Sequence, residues 1–473
     1  MATLQCFILS LFKILFYWSI LLMLFSSSSN ESLASETQFQ TFDITSQLSA
    51  TMCNPSIHPG LKNRKSSAVL ELIHRHGSCA ATNQTKPKSR PSTADILRND
   101  KLRAESIFNG GHIPVSSGDS FQNSGEYIVT VGLGTPETKL SLLFDTGSDL
   151  TWTQCKPHLL GYHNQKGPMF DLRNSTSYSF IPCNSSECSL LAAETEFGPN
   201  CSEANQCTYF VTYADGSVTL GYFSKDTLTI TLNVVVPGFM FGCSQYTQGI
   251  FGLESGILGL GRSNISIVSQ TASRFQECFS YCIPSRPSSI GFLAFGKDYD
   301  NTTKFTPLIF KPELPNFYVI HIIGIAVEGR KLRISPKAFE RSGDAVIDSG
   351  TTITSLPSKL YKSLSREFKR VMHTKYKYQI AQPSSDGFLD TCFVPKEENV
   401  VPSVSFTFQN NVKLDLDASG IGTLWVFNKS LMCFAFAGTD STVGLFGNTQ
   451  QKTFELVYDV AGNKLGIRPG MCN

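Results

Sequence analysis

The sequence predicts a mainly β chain folded as two similar lobes with a cleft between them. Three observations carry this expectation. From Glu126 onward the chain reads as short apolar runs broken by Gly and Pro, among them YIVTVGLGTP, LSLLFDTGSDL, DTLTITLNVVVPGFMFG and FYVIHIIGIAVEG. Alternation of Thr227, Thr229 and Thr231 with Leu228, Ile230 and Leu232 has the period of a half-buried strand. Helical patterning is scarce: residues 359–369 form the one clear amphipathic helix in this part, with Lys359, Lys362, Arg366 and Lys369 opposite Leu360, Leu364 and Phe368. The chain also echoes itself. LLFDTGS (142–148) returns as AVIDSGT (345–351), 203 residues later, and SGILGLG (255–261) is matched by VGLFGN (443–448). Two similar halves, each carrying one Asp in the same setting, imply a duplicated β unit.

Composition narrows the function. A chain of 473 residues suggests two or three structural units. Its net charge of +2 argues against a nucleic-acid binder, which carries a strongly basic domain or stripe. Hydrophobic content of 41%, with 35 Phe, excludes dominant disorder.

Taken in order, the chain opens on residues 6–25, apolar except for Lys13, followed by the small residues SSSSNESLAS. A charge inside the run and small residues after it are expected of a signal peptide (1–30). A membrane anchor is the competing reading, because it needs about 20 apolar residues. The 14 Cys agree with export and disulfide formation. No CxxC pair with nearby His suggests a metal site, so no metal is expected. Eight N-x-S/T triplets, at Asn30, Asn83, Asn174, Asn184, Asn200, Asn264, Asn301 and Asn428, are candidate glycosylation acceptors. Residues 61–104 are basic, with ten Lys and Arg against Glu71, Asp95 and Asp100. Within or beside that stretch, 84–93 reads as a Pro-punctuated linker and 95–107 as an amphipathic helix.

The paired Asp motifs carry the chemistry. In each, an apolar strand delivers Asp145 or Asp348 to its end, and the following Gly (Gly147, Gly350) permits a sharp turn. Neighbouring hydroxyls can donate to the carboxylate oxygens. Two carboxylates held about 3 Å apart cannot both ionise cheaply, so the pair shares a proton and can act as base and acid together. Asp145 and Asp348 are therefore the candidate catalytic pair.

As a set, GEYIVTVGLGTP, FDTGSDLTWTQC, YADGSVTLG, GILGLGR, FSYC, IDSGTTITSLP, LDTCF and LFGNTQQKTFELVYD closely resemble the pepsin-like aspartic proteases, in their plant nepenthesin-like branch. The resemblance covers about residues 125–472. It implies the bilobal pepsin-like fold, two β-barrel-like lobes with the active-site cleft between them, an aspartic endopeptidase acting on polypeptide substrates at acidic pH, and no cofactor. It implies further that Thr146 and Ser349 lock the two Asp loops together, and that Ser148 and Thr351 bond the outer carboxylate oxygens. Tyr213 and Gly216 would lie in a flap over the cleft, with Trp152 bracing the tyrosine. The domains expected are a signal (1–30), a pro-segment (31–115) covering the cleft of a zymogen, and lobes at 116–300 and 301–473. The implied product is a monomer, free of the membrane once the signal is removed, in the apoplast or alternatively the vacuole or plastid. Implied disulfides are Cys183–Cys207, Cys188–Cys201, Cys282–Cys472 and Cys392–Cys433. Of the eleven Cys after position 125, three remain; Cys155–Cys243 is a guess that leaves Cys278 free. Cys155 is followed by Lys156, Pro157 and His158, so a close CxxC bridge found in nepenthesin-like chains is missing. The rival reading is an inactive inhibitor or binding protein of the same shape, usually marked by damage to an Asp motif; both motifs here are intact.

Overall fold

In the computed structural model the described residues are 53, 68–75, 77–80, 93–108, 127–157, 161–193, 200–213, 216–249, 251–301, 303–383, 387–416 and 422–470. The expected signal (1–30), most of the linker, the acceptors Asn30 and Asn83, and Cys472 lie outside them. No helix among the described residues is long and apolar enough to cross a membrane.

The N-terminal segment supplies a strand and a helix. β1 (Ala68–His74) buries Ala68, Leu70, Leu72 and His74 in strict alternation. α1 (Thr93–Phe108) extends the expected helix by two residues at its start and one at its end. β2 (Tyr127–Leu133) and β3 (Thr138–Asp145) pair antiparallel, and β1 is inserted between β2 and the strand Ile290–Phe295. The last residues of β3, from Leu142 to Asp145, are all buried. Such a strand reads as a continuous apolar run because both of its faces are covered.

β4 (Trp152–Lys156) leaves the first Asp loop. β5 (Cys207–Thr212) and β6 (Val218–Thr231) form an antiparallel hairpin. In β6, Leu228 and Ile230 are buried as the alternation predicts, but Leu232 is 93% exposed. The strand ends at Thr231 in a turn closed by Thr231 and Val234, so Leu232 falls on the hairpin tip rather than on the buried face. β7 (Gly256–Gly259) then runs parallel to β3, with Gly259 opposite Asp145, and antiparallel to β4.

The second half repeats this unit. β8 (Asp344–Ile347) leads into the second Asp loop and β9 (Thr354–Pro357) leaves it. α2 (Ser358–Thr374) follows, longer than the expected 359–369 because Val371 and Met372 continue the buried face of Leu360, Leu364 and Phe368. β10 (Gly444–Phe446) runs parallel to β8, with Phe446 opposite Ile347, and antiparallel to β9. The echo in the sequence is thus a repeat in space. The described strands form sheets of 16, 8 and 4 strands. The strand Phe454–Asp459 returns to the largest sheet by pairing with Cys278–Cys282. The architecture is bilobal and mainly β, of the pepsin-like type.

Two expected disulfides are corrected. The bonds formed are Cys183–Cys201 and Cys188–Cys207, not Cys183–Cys207 and Cys188–Cys201. Cys201 and Cys207 face each other across a short antiparallel pair and so compete for the same two partners. Burial separates them: Cys188 and Cys207 are both buried, whereas Cys201 is exposed and Cys183 half-buried. Cys155–Cys243 and Cys392–Cys433 are bonded, and Cys53–Cys79 joins the N-terminal segment to itself. Cys278 is free and buried, while Cys282 is disulfide-bonded.

Candidate active site

β3 ends at Asp145 and β8 stops one residue before Asp348, so the two repeats bring their carboxylates to one buried place. The loops are locked reciprocally. The Thr146 N–H donates to Ser349 Oγ (3.0 Å) and the Ser349 N–H donates to Thr146 Oγ1 (2.9 Å). Each carboxylate also accepts from the Gly two residues on, Asp145 Oδ1 from Gly147 N–H (3.0 Å) and Asp348 Oδ1 from Gly350 N–H (2.9 Å). Neither Gly can carry a side chain: a Cβ on Gly147 would lie 2.7 Å from Asp348 Oδ1, and one on Gly350 would lie 2.4 Å from Asp145 Oδ1. Beneath the second loop, Gln451 Nε2 donates to the Asp348 carbonyl (3.1 Å) and Asn448 Nδ2 to that of Ser349 (3.1 Å).

The hydroxyl partners differ. Thr351 Oγ1 donates to Asp348 Oδ2 at 2.6 Å. Ser148 Oγ, expected to do the same for Asp145, is outside hydrogen-bonding geometry, as is Asp145 Oδ2, and the Ser148 hydroxyl favours the ionised Asp145 only weakly. The bonds Asp145 does accept, from Gly147 and from an arginine described next, both converge on Oδ1.

That arginine comes from α1. Arg103 Nε donates to Asp348 Oδ2 (2.7 Å), and one terminal nitrogen donates to Asp145 Oδ1 (2.7 Å) and Asp348 Oδ1 (3.1 Å). The planar guanidinium fork spans both carboxylates at once, as an ammonium could not. One helical turn earlier, the Asp100 carboxylate accepts from the backbone N–H of Thr352 (2.8 Å) and of Ile353. Leu97, another turn back, packs with Ile353, Leu389 and the Cys392–Cys433 bond. On the other side Ala104, Ile107 and Phe108 pack against Leu314, Phe317 and Val443. The helix thus sits across the two Asp loops with its charged pair inward.

Electrostatics follow this geometry. Burial pushes the Asp145 carboxyl up, and Arg103 only partly offsets it. Burial acts on Asp348 too, but there Arg103, Thr351 and Gly350 outweigh it and hold the carboxyl below its usual value. Arg103 is held protonated by the two carboxylates despite its own burial.

Above the pair, the β5–β6 hairpin turns through Gly216 at φ +80°, with the Tyr213 N–H donating to the Ser217 carbonyl (2.7 Å). Trp152 Nε1 donates to Tyr213 Oη at 2.6 Å, and Phe251 packs edge-on against both rings. His163 lies behind Phe251, its ring nitrogens engaged by Thr247 and the Glu254 carbonyl, and burial lowers its pKa. Thus Asp145, Thr146, Gly147, Asp348, Ser349, Gly350 and Thr351 come together, and Tyr213, Gly216 and Trp152 form one hairpin assembly.

Comparison with known proteins decides the family. An aspartyl protease family protein of Arabidopsis thaliana is 40% identical over 93% of this chain and 94% of its own. The chain belongs to the plant aspartyl protease family. The Arabidopsis aspartyl protease AED1 is 39% identical over 90% of each chain, and the aspartic proteinase nepenthesin-1 of Nepenthes gracilis is 32% identical over 78% of this chain and 83% of its own. Two family models, Xylanase inhibitor N-terminal and Xylanase inhibitor C-terminal, match residues 127–297 and 317–469. Among solved structures, edgp (TM-score 0.60, 18% identity, 85% of this chain and 95% of that one) and Basic 7S globulin from soybean (TM-score 0.59, 18% identity, 86% and 97%) share the fold.

Within this family member, sequence reasoning singled out the two loops and the flap but missed Arg103 and Asp100. Both were legible only as charges in a basic stretch and its helix; no local pattern says which of ten basic side chains meets a cleft. Among the described residues, no cluster of His, Cys, Asp and Glu could hold a metal.

Proposed function

We propose that the chain is an aspartic-type endopeptidase made as an inactive precursor and active at acidic pH. In this reading 1–30 are a signal, 31–115 a pro-segment, and 116–300 and 301–473 the lobes of the protease. The observation that carries it is the Arg103 bridge: two buried carboxylates on reciprocally locked loops, both engaged by one cation from an N-terminal helix. With α1 in place both carboxylates are held by the one guanidinium and a peptide is excluded. With α1 removed, Asp145 and Asp348 would share one proton, the charged oxygen taking a proton from a water while the protonated one donates to the scissile carbonyl. The tetrahedral species then collapses with proton return to the leaving amine, which cleaves the bond. Tyr213, held by Trp152, would close the hairpin over the substrate backbone.

Release follows from the direction of the Asp348 shift. A carboxyl held low contributes stability above its unfolded value, near pH 4, and loses it as pH falls through its folded value. The Arg103–Asp348 pair therefore fails in acid. Asp145, pushed up, titrates the other way and does not supply this release. A second reading, an inactive inhibitor or binding protein, is favoured by the xylanase-inhibitor family models. The test is a quenched-peptide assay after incubating the purified full-length precursor at about pH 3–4, with and without pepstatin, beside Asp145→Asn. Shortening of the chain with pepstatin-sensitive activity, absent from the variant, supports the protease. An intact, silent precursor supports the second reading.

A further inference from the structure

The basic side of α2 is a concentration of charge that the proposed reaction does not use. Lys359, Lys362, Arg366, Lys369 and His373 recur at intervals of three and four residues, so they share one face. At a rise of 1.5 Å per residue this stripe is about 21 Å long. Lys359, Lys362, Arg366 and His373 are exposed and Lys369 is half-buried. Residues 358–377 hold seven Lys and Arg against a single acid, Glu367. That acid is already paired with Arg370 (2.7 Å). By contrast, residues 116–473 as a whole carry 29 Lys and Arg against 31 Asp and Glu. Among the described residues, Lys362, Arg366 and Lys369 form no ion pair.

The stripe borders an open groove of about 520 Å³ between α2 and the segment around Ile380 and Asp390. The groove is not uniformly cationic. Asp390 Oδ1 accepts from Tyr361 Oη and from Thr391 Oγ1, which leaves Oδ2 to accept from a ligand, and the Thr374 hydroxyl lines the same wall. We infer that this groove and stripe bind a linear carboxylated polysaccharide, the cations meeting its carboxylates while Asp390 and Thr374 meet its hydroxyls. The mixed lining selects this chemistry. A polyphosphate chain has no hydroxyl donors for Asp390 and would be repelled by it. A membrane surface would be held by charge alone, because the apolar face of α2 (Leu360, Leu364, Phe368, Met372) is buried in the core and cannot insert. Single-stranded nucleic acid needs stacking aromatics, whereas Tyr361 is only 5% exposed and bonded to Asp390. Bound there, the polymer would tether the protein through α2 and the segment around Asp390.

The test uses the full-length chain and polygalacturonate as probe at about 50 mM salt, where charges act over a screening length longer than 10 Å. The expected result is saturable binding that weakens with salt. The Lys362→Glu/Arg366→Glu/Lys369→Glu variant should lose on the order of 100-fold in affinity, from roughly a factor of five per basic side chain. An equal charge change elsewhere on the surface, Lys139→Glu/Lys156→Glu/Lys304→Glu, should leave affinity within about twofold, and Asp390→Asn should weaken polygalacturonate several-fold without weakening polyglutamate. Unchanged melting temperatures establish that all variants fold. The inference is overturned if the triple variant binds like the wild type, if the distant variant loses as much, or if polyglutamate or phosphatidylserine vesicles bind as tightly as polygalacturonate.

Discussion

The two Asp loops have the same backbone and opposite electrostatics. In each, a strand running parallel to a Gly-containing partner delivers the Asp, the Gly two residues on donates to Oδ1, and a hydroxyl crosses to the other loop. Yet Asp348 has both oxygens engaged, by Gly350, Thr351 and two Arg103 nitrogens, and is held low. Asp145 keeps one buried oxygen without a partner and is pushed up. A duplicated fold thus makes two equivalent positions, and Arg103 from outside the repeat, with the different reach of Thr351 and Ser148 inside it, makes them unequal. An unequal pair is what acid–base chemistry needs.

The largest effect on this comparison should come from Arg103→Ala. It leaves two buried carboxylates facing each other without a cation, which destabilises the precursor by about 3–5 kcal/mol near neutral pH, readable by chemical denaturation. It should also move conversion of the precursor from about pH 3–4 to above pH 5, read as chain shortening after timed incubation. Arg103→Lys, able to reach one carboxylate at a time, should fall between. If Arg103→Ala converts only at the same acidity as the wild type, the guanidinium is not the latch.

Next in size is the reciprocal lock. Thr146→Val and Ser349→Ala should each cost about 1–2 kcal/mol, because each leaves a buried N–H unpaired. The double variant should cost less than the sum, since both act on one exchange between the loops. Strict additivity in a double-mutant cycle would mean that the loops are held separately.

The smallest and sharpest test sets Thr351→Val against Ser148→Ala in the chain after removal of α1, assayed for the proposed peptidase activity. Thr351 donates to a charged oxygen, so its loss should raise the acidic limb of the pH–rate profile by about one unit. Ser148 is outside hydrogen-bonding geometry and favours the ionised Asp145 only weakly, so Ser148→Ala should shift that limb by about 0.3 unit or less. Equal shifts would show that the asymmetry belongs to the Arg103-bound state and disappears when α1 leaves.

Much of this was legible in the sequence. The period of two in β6, the apolar run of β3, and the amphipathic pattern of α2 are local, because burial of one face or both leaves its mark residue by residue. The repeat of LLFDTGS as AVIDSGT set the two halves and their carboxylates in correspondence, since the same backbone turn needs the same Gly. What escaped is what depends on approach from far along the chain. The crossed pairing of Cys183, Cys188, Cys201 and Cys207 turns on which thiols are buried, and both pairings close loops of similar length.

Residue types and their spacing therefore determined the fold class and the candidate carboxylate pair. Tertiary structure alone decided that Arg103, 42 residues before Asp145 and 245 before Asp348, is the cation that spans them. The physical reason is range. Hydrophobic period and turn chemistry act between neighbours and are written in the sequence, whereas a guanidinium finds its carboxylates only after the strands and α1 have brought them into a buried place where charges act strongly.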